Sequence, residues 1–337
     1  MAYGGDLSVY VEDKSGDGGF NPALPGPFWL SPDVDIPAHT GVANQGSNDV
    51  QIRVHTHEEP ILNEKIKTEV YVGNPSLAMS PSVGTIRIDP GLEFRPPGVA
   101  GTEPVADIAG GTATFPWTPS NDPTAVDGPG HRCLILRAFP ESVAPPGDPF
   151  DPYTEPHEAQ HNIEILATTH MMLKPGGSPG AGTPHDPRRR DDDGLWSERI
   201  STLGPHGLGK RFVVWAFDPH PPESIRRALR HTSVSKVPPD QVVLDPDPKH
   251  GEPIDPTGLL DNGPFVEESG LGRDIWVKDR LLAGAEMELR PKELSTVTLR
   301  FDHSNLKRHT AVVLHGAQWD EHGRAEGGLT VVAIAPE

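Results

Sequence analysis

Cysteine is nearly missing from this chain of 337 residues: Cys133 stands alone, so no intrachain disulfide can form. The fold has to be held by burial instead. Long hydrophobic runs are missing too, since no apolar stretch approaches the roughly 18 residues that a membrane-crossing helix needs. The opening MAYGGDLSVYVEDKSGDGG has neither a basic nor an apolar leader segment, which predicts no Sec export and no membrane insertion. The compartment stays open between residence in the cell and export within an assembly or by a leaderless route. Positive charge is also scarce. Lys and Arg number 29 against 48 Asp and Glu, a formal charge of −19, so the long-range field repels phosphate backbones and anionic lipid. Nucleic acid is excluded as the expected partner.

Turn formers are abundant: 39 Pro and 36 Gly predict a loop-rich globular chain, and the length suits two domains. The hydrophobic period is two far more often than 3.6, which predicts strands. In the first half these are Val50–His55, Ile66–Val72, Thr85–Ile88, Ala113–Trp117, Cys133–Phe139 and Asn162–Thr168. The second set comprises Phe212–Phe217, Gln241–Leu244, Ile275–Lys278, Glu286–Arg290, Thr296–Asp302, Ala311–His315 and Leu329–Ile334. Short strands at this spacing, without amphipathic helices between them, predict an all-β chain of two immunoglobulin-like sandwiches in tandem. The expected division is 1–174 for the first domain, 175–194 for a polar linker and 195–337 for the second. One short helix is expected after Pro221 and Pro222, with Ile225, Ala228 and Leu229 on one face.

Several phrases then resemble a known family. Phe28–Ile36 (FWLSPDVDI), the spacer after it and VQIRVHTHEEP are similar to the opening of bacterial immunoglobulin-like domains related to cell adhesion (the CARDB type). Gly130–Phe139 (GHRCLILRAF) and His157–Ile165 (HEAQHNIEI) resemble their later strands, and TVTLRFDHSNL through GGLTVVAIAP looks like a second such module. The family's Asn-x-Gly turn is replaced here by His55-Thr56-His57-Glu58. The resemblance implies tandem sandwiches that serve as spacers, adhesion modules or accessory parts of larger assemblies.

Chemistry has to be sought residue by residue, because fold does not fix function. His157-Glu158-Ala159-Gln160-His161 spells H-E-x-x-H, in which a helix would present two imidazoles to zinc and the Glu to a water. Pro156 precedes it and an alternating run follows, so an extended strand is expected. Period two then sets His157 and His161 more than about 13 Å apart. His55 and His57 would share one side of a strand and could hold a metal if a third ligand came from elsewhere. With 16 His in the chain, such a pair also arises by chance. Asp13-x-Ser15-x-Asp17-Gly18 imitates half of a calcium loop, but Leu24 stands where the bidentate Glu belongs. Gly204 through Lys210 imitates a P-loop, yet Arg211 replaces the magnesium-binding hydroxyl and a strand follows.

Trp29 and Trp319 lie near turns and are the expected surface tryptophans. With Asp320, Glu321 and Arg324 in the loop Gln318–Thr330, they form the candidate binding patch. No catalytic or cofactor residue is assigned, with calcium and zinc kept as alternative ions. The leading functional expectation is a non-catalytic structural or binding protein with a protein partner or self-assembly. A zinc hydrolase using HEAQH and a carbohydrate-binding module are the alternatives.

Overall fold

Alternation along Asn48–Arg53 turns Asn48, Val50 and Ile52 inward and leaves Asp49, Gln51 and Arg53 outside. Ile66–Gly73 does the same with Ile66, Thr68, Val70 and Val72, as the pleat of a half-buried strand requires. In the computed structural model these two faces meet. The described residues are 9–13, 18, 27–36, 42–43, 46–56, 65–95, 105–107, 111–122, 125–128, 130–167, 195–204, 208–222, 225–226, 229, 232–262, 275–302, 306–307 and 309–335. The expected linker 175–194 lies outside them.

The chain is all β, as its periodicity predicts. One sheet places Asn48–Arg53 between Thr112–Trp117 and Val34–Asp35. Facing it, Cys133–Pro140 lies between Glu158–His161 and Ile66–Gly73 in a larger sheet. Val34, Ile36, Val50, Ile52, Phe115 and Trp117 from the first sheet and its flank pack on Ile66, Val70, Val72, Leu134 and Leu136 from the second. This is one sandwich core.

The second core lies between a seven-stranded and a three-stranded sheet among the described residues. In the larger one, Thr310–Asp320 runs between Gly209–Phe217 and Ala325–Ile334. In the smaller, Leu294–Asp302 pairs with Leu195–Leu203 and Val242–Pro246. Val213, Trp215, Leu314, Leu329 and Val331 meet Val297, Leu299 and Phe301 between them. The other face of the large sheet is covered as well: Phe28, Trp29 and Tyr153 pack on Val214, Ala216, Ala317, Trp319 and Ala325. Burial on both faces explains why FVVWAF and AVVL read as continuous apolar runs instead of alternating.

Segments of the first half also enter the second sandwich. Ile163–Ala167 pairs in parallel with Thr330–Ile334. Leu77 sits in the second core, and its N–H donates to the Ser201 carbonyl at 3.0 Å. Two expectations are corrected. Ile275–Lys278 is turn, not strand, and Leu195–Leu203, not anticipated from sequence, is a full strand. The expected helix is helical at Ile225, Arg226 and Leu229, with Ile225 and Leu229 buried.

Candidate metal centre and buried polar groups

Three segments converge on Asp33. Ser31 Oγ accepts from the Asp33 N–H at 3.0 Å and donates to the Glu12 carbonyl at 2.5 Å, a local side-chain turn that fixes the Ser-Pro-Asp corner. The antiparallel register of Val34–Asp35 against Asn48–Arg53 then puts the Asp33 carbonyl on the Arg53 N–H, at 2.8 Å. His55, two residues further on, is thereby brought to the Asp33 side chain. His55 Nε2 lies 2.9 Å from Asp33 Oδ2, and the Glu12 N–H donates to the same oxygen at 2.6 Å. Pairing of His55–Thr56 with Val9–Tyr10 holds Glu12 nearby and stacks the His55 ring on Tyr10, centroids 5.1 Å apart.

Glu12, Asp33 and His55 each present a ligand atom, all within 4.8 Å of one another. The Asp33 side chain is 0% exposed and that of His55 is 24% exposed. Asp33 Oδ1 is buried with no hydrogen-bond partner among the described residues. Pairing with Asp33 raises the His55 pKa above its ordinary value, against the cost of burial. The sequence singled out His55 through its H-x-H spacing and asked for a ligand from another strand. Asp33 and Glu12, which flank the strands Val34–Asp35 and Val9–Tyr10, lie beside His55, and His57, the other half of the expected pair, lies outside the described residues.

The H-E-x-x-H motif is not on a helix. Glu158–His161 is a strand whose register pairs Arg137 with Glu158 and Leu134 with His161, and His157 sits in the turn before it, so the one-turn helical spacing that presents both imidazoles to one ion is absent. Glu158 is buried against Arg137, which donates through Nε at 2.7 Å, while the Asp151 N–H donates to its other oxygen at 2.5 Å. Burial pushes the Glu158 carboxyl up to about 8 against the pull of Arg137. Arg137 is also stacked on Phe150 at 4.4 Å. His157 Nδ1 contacts Glu155 at 2.6 Å, and His161 Nδ1 contacts the Ser31 carbonyl at 2.7 Å. Glu158 and the Nδ1 atoms of both histidines thus fasten strands and loops, while His157 Nε2 and His161 Nε2 are buried without a hydrogen-bond partner among the described residues.

The expected surface patch needs correction. Trp29 and Trp319 are 0% and 1% exposed. Trp29 donates from Nε1 to Thr330 Oγ1 at 2.9 Å, and Trp319 packs edge-on to Trp276 with centroids 4.7 Å apart. Neither ring offers a free face to a sugar. The stretch read as a loop is a tight hairpin between Thr310–Asp320 and Ala325–Ile334. Asp320 Oδ1 accepts from the N–H groups of His322 and Arg324 at 2.9 and 2.8 Å and so caps the turn. Arg324 reaches the first half, bonding Asp151 and Thr154. Glu321 remains exposed. Gly209 and Lys210 begin the strand Gly209–Phe217, which is incompatible with a phosphate-cradling loop leading into a helix.

Two buried polar groups were not anticipated. His315 bridges Asp218 at 3.0 Å and Thr330 Oγ1 at 2.8 Å. Burial alone would raise Asp218, but the hydrogen bond and charge of His315 hold it below the usual carboxylate range. The order Thr-His-Asp imitates a nucleophilic triad, yet Thr330 and His315 are 0% exposed, so no substrate can reach them. The second group is Glu326, which accepts from Gln318 Nε2 at 2.6 Å and faces Arg211 Nε at 3.2 Å. Burial pushes its carboxyl up to about 7. The signal for both was a polar residue inside an otherwise apolar strand.

No family model and no curated relative matches the sequence. Among solved structures, the chain is similar to the one titled "Crystal structure of CBD12 from CALX1.2", at 10% identity and a TM-score of 0.18, covering 83% of this chain and 77% of that one. A likeness at that level carries no argument about activity.

Proposed function

We propose that this chain is a non-catalytic structural or binding protein, an adhesion, spacer or accessory component of a larger surface or phage-like assembly. One observation carries the reading: the residues best suited to catalysis are committed to joining strands. Glu158 is locked between Arg137 and the Asp151 N–H, and His315 is sealed between Asp218 and Thr330. The strand Ile163–Ala167, which the chain passes directly from the first sandwich into the sheet of the second, supports the same reading, because such a tie resists the bending that separate modules allow. Among the described residues no helix is long and apolar enough to cross a membrane. The test is size-exclusion chromatography with light scattering, followed by pull-down from the native source and identification of what is retained. An oligomer or a stoichiometric partner is expected. A strictly monomeric chain that retains nothing would refute the proposal.

A further inference from the structure

The geometry points to Glu12, Asp33 and His55 as a binding site for one divalent transition-metal cation of the zinc class, which ties the Val9–Tyr10 strand to the edge of the first sandwich. The donors are one imidazole nitrogen and two carboxylates, all within 4.8 Å. Tetrahedral zinc with bonds of about 2.0–2.2 Å sets its donors roughly 3.3–3.6 Å apart, so the widest separation needs to close by only about 1 Å while His55 Nε2 and Asp33 Oδ2, at 2.9 Å, part by a few tenths of an ångström. Calcium and magnesium favour all-oxygen shells, and an imidazole donor selects against them.

An independent observation points the same way. Asp33 Oδ2 accepts the Glu12 N–H and lies 2.9 Å from His55 Nε2, whereas Oδ1 of the same fully buried carboxylate receives no donor among the described residues. A buried acceptor left so is costly in a folded protein. A cation between the carboxylates satisfies it and relieves the repulsion of Asp33 by Glu12. Arg53 is the cation whose field also reaches His55, but its side chain is on the exposed face of the strand and its backbone N–H goes to the Asp33 carbonyl. The partial exposure of His55 leaves a way in from solvent, and a water would complete the shell. The three ligands come from three separate segments, so the ion would cross-link them as a disulfide does elsewhere.

The test uses the full chain, stripped with a chelator and titrated with Zn²⁺ by calorimetry and with Co²⁺ by visible absorption. One cation per chain, a Co²⁺ ligand-field band and a higher melting temperature with Zn²⁺ are expected. His55→Ala and Glu12→Gln, at partly buried positions where folding should survive, should each weaken binding at least tenfold. His250→Ala should leave it unchanged, because that imidazole belongs to a separate cluster with Asp247 and Glu293. Failure to bind Zn²⁺, binding unaltered in both ligand variants, or equal affinity for Ca²⁺ would each overturn the assignment. The readout is binding to the isolated chain, so it can fail while the assembly proposal stands, and the reverse.

Discussion

Gly328 and Trp29 occupy one space, and this makes their variants non-additive. A Cβ at position 328 would lie 2.3 Å from Trp29 Cδ2 and Cε3, far inside contact distance. The backbone there cannot retreat, because the Gly328 carbonyl accepts from Asn162 Nδ2 at 2.8 Å and Gln160 Nε2 at 3.2 Å. Nor can the indole, which is packed among Phe28, Tyr153 and the large sheet and bonded to Thr330. Gly328→Ala should therefore cost about 1–3 kcal/mol through overpacking. Trp29→Ala leaves a cavity and should cost about 3–5 kcal/mol. In the double variant the new methyl has no ring to strike, so the total should stay near that of Trp29→Ala alone, a coupling of about 1–3 kcal/mol. Equilibrium unfolding in urea, followed by circular dichroism, measures all three. If the two losses add to within about 0.5 kcal/mol, the close approach described here is wrong.

Other variants probe the remaining polar groups. Glu158→Ala strips the buried Arg137 of its partner and should cost about 3–5 kcal/mol near neutral pH, read from the same urea curves. The loss should shrink as pH rises through about 8, where burial has placed the carboxyl's titration. Glu326 has its pKa raised from the usual 4.5 to about 7 by burial. Its contribution is fully present below the unfolded value and is lost as pH rises through about 7, so Glu326→Gln should flatten the fall of the urea midpoint over that interval. Arg324→Ala breaks a contact whose guanidinium side chain is 40% exposed, and the urea curves should register a loss of no more than about 1 kcal/mol.

The class of the fold was legible because its cause is local. Apolar alternation in VQIRV and IKTEVYV, and unbroken apolar runs in FVVWAF, follow directly from one-sided and two-sided burial. Which strand pairs with which was not, since Ile163 meets Thr330 through contacts that no local window contains. Trp29 was misplaced for the same reason: PFWL carries no strand pattern, and its burial depends on a sheet formed by residues far along the chain. Ile275–Lys278 has strand-like composition, but Ile275 packs on the large sheet from a turn, so packing overrode propensity. Within the candidate metal site only His55 gave a signal. Glu12 and Asp33 are single acids in unremarkable loops, joined to it by sheet register.

The parallel pairing of Ile163–Ala167 with Thr330–Ile334 also sets a schedule for synthesis. A ribosome delivers the earlier strand long before its partner, and the edge it is meant to join does not exist until residue 334 has emerged. Until then its backbone donors and acceptors have no native ladder. Domain-by-domain folding during translation is thus blocked at the last step of the first half, and the nascent chain carries an open strand for the whole time the second sandwich is being made. A chain cut short before residue 325 would lose more than its final hairpin: it would strand a piece of its own middle.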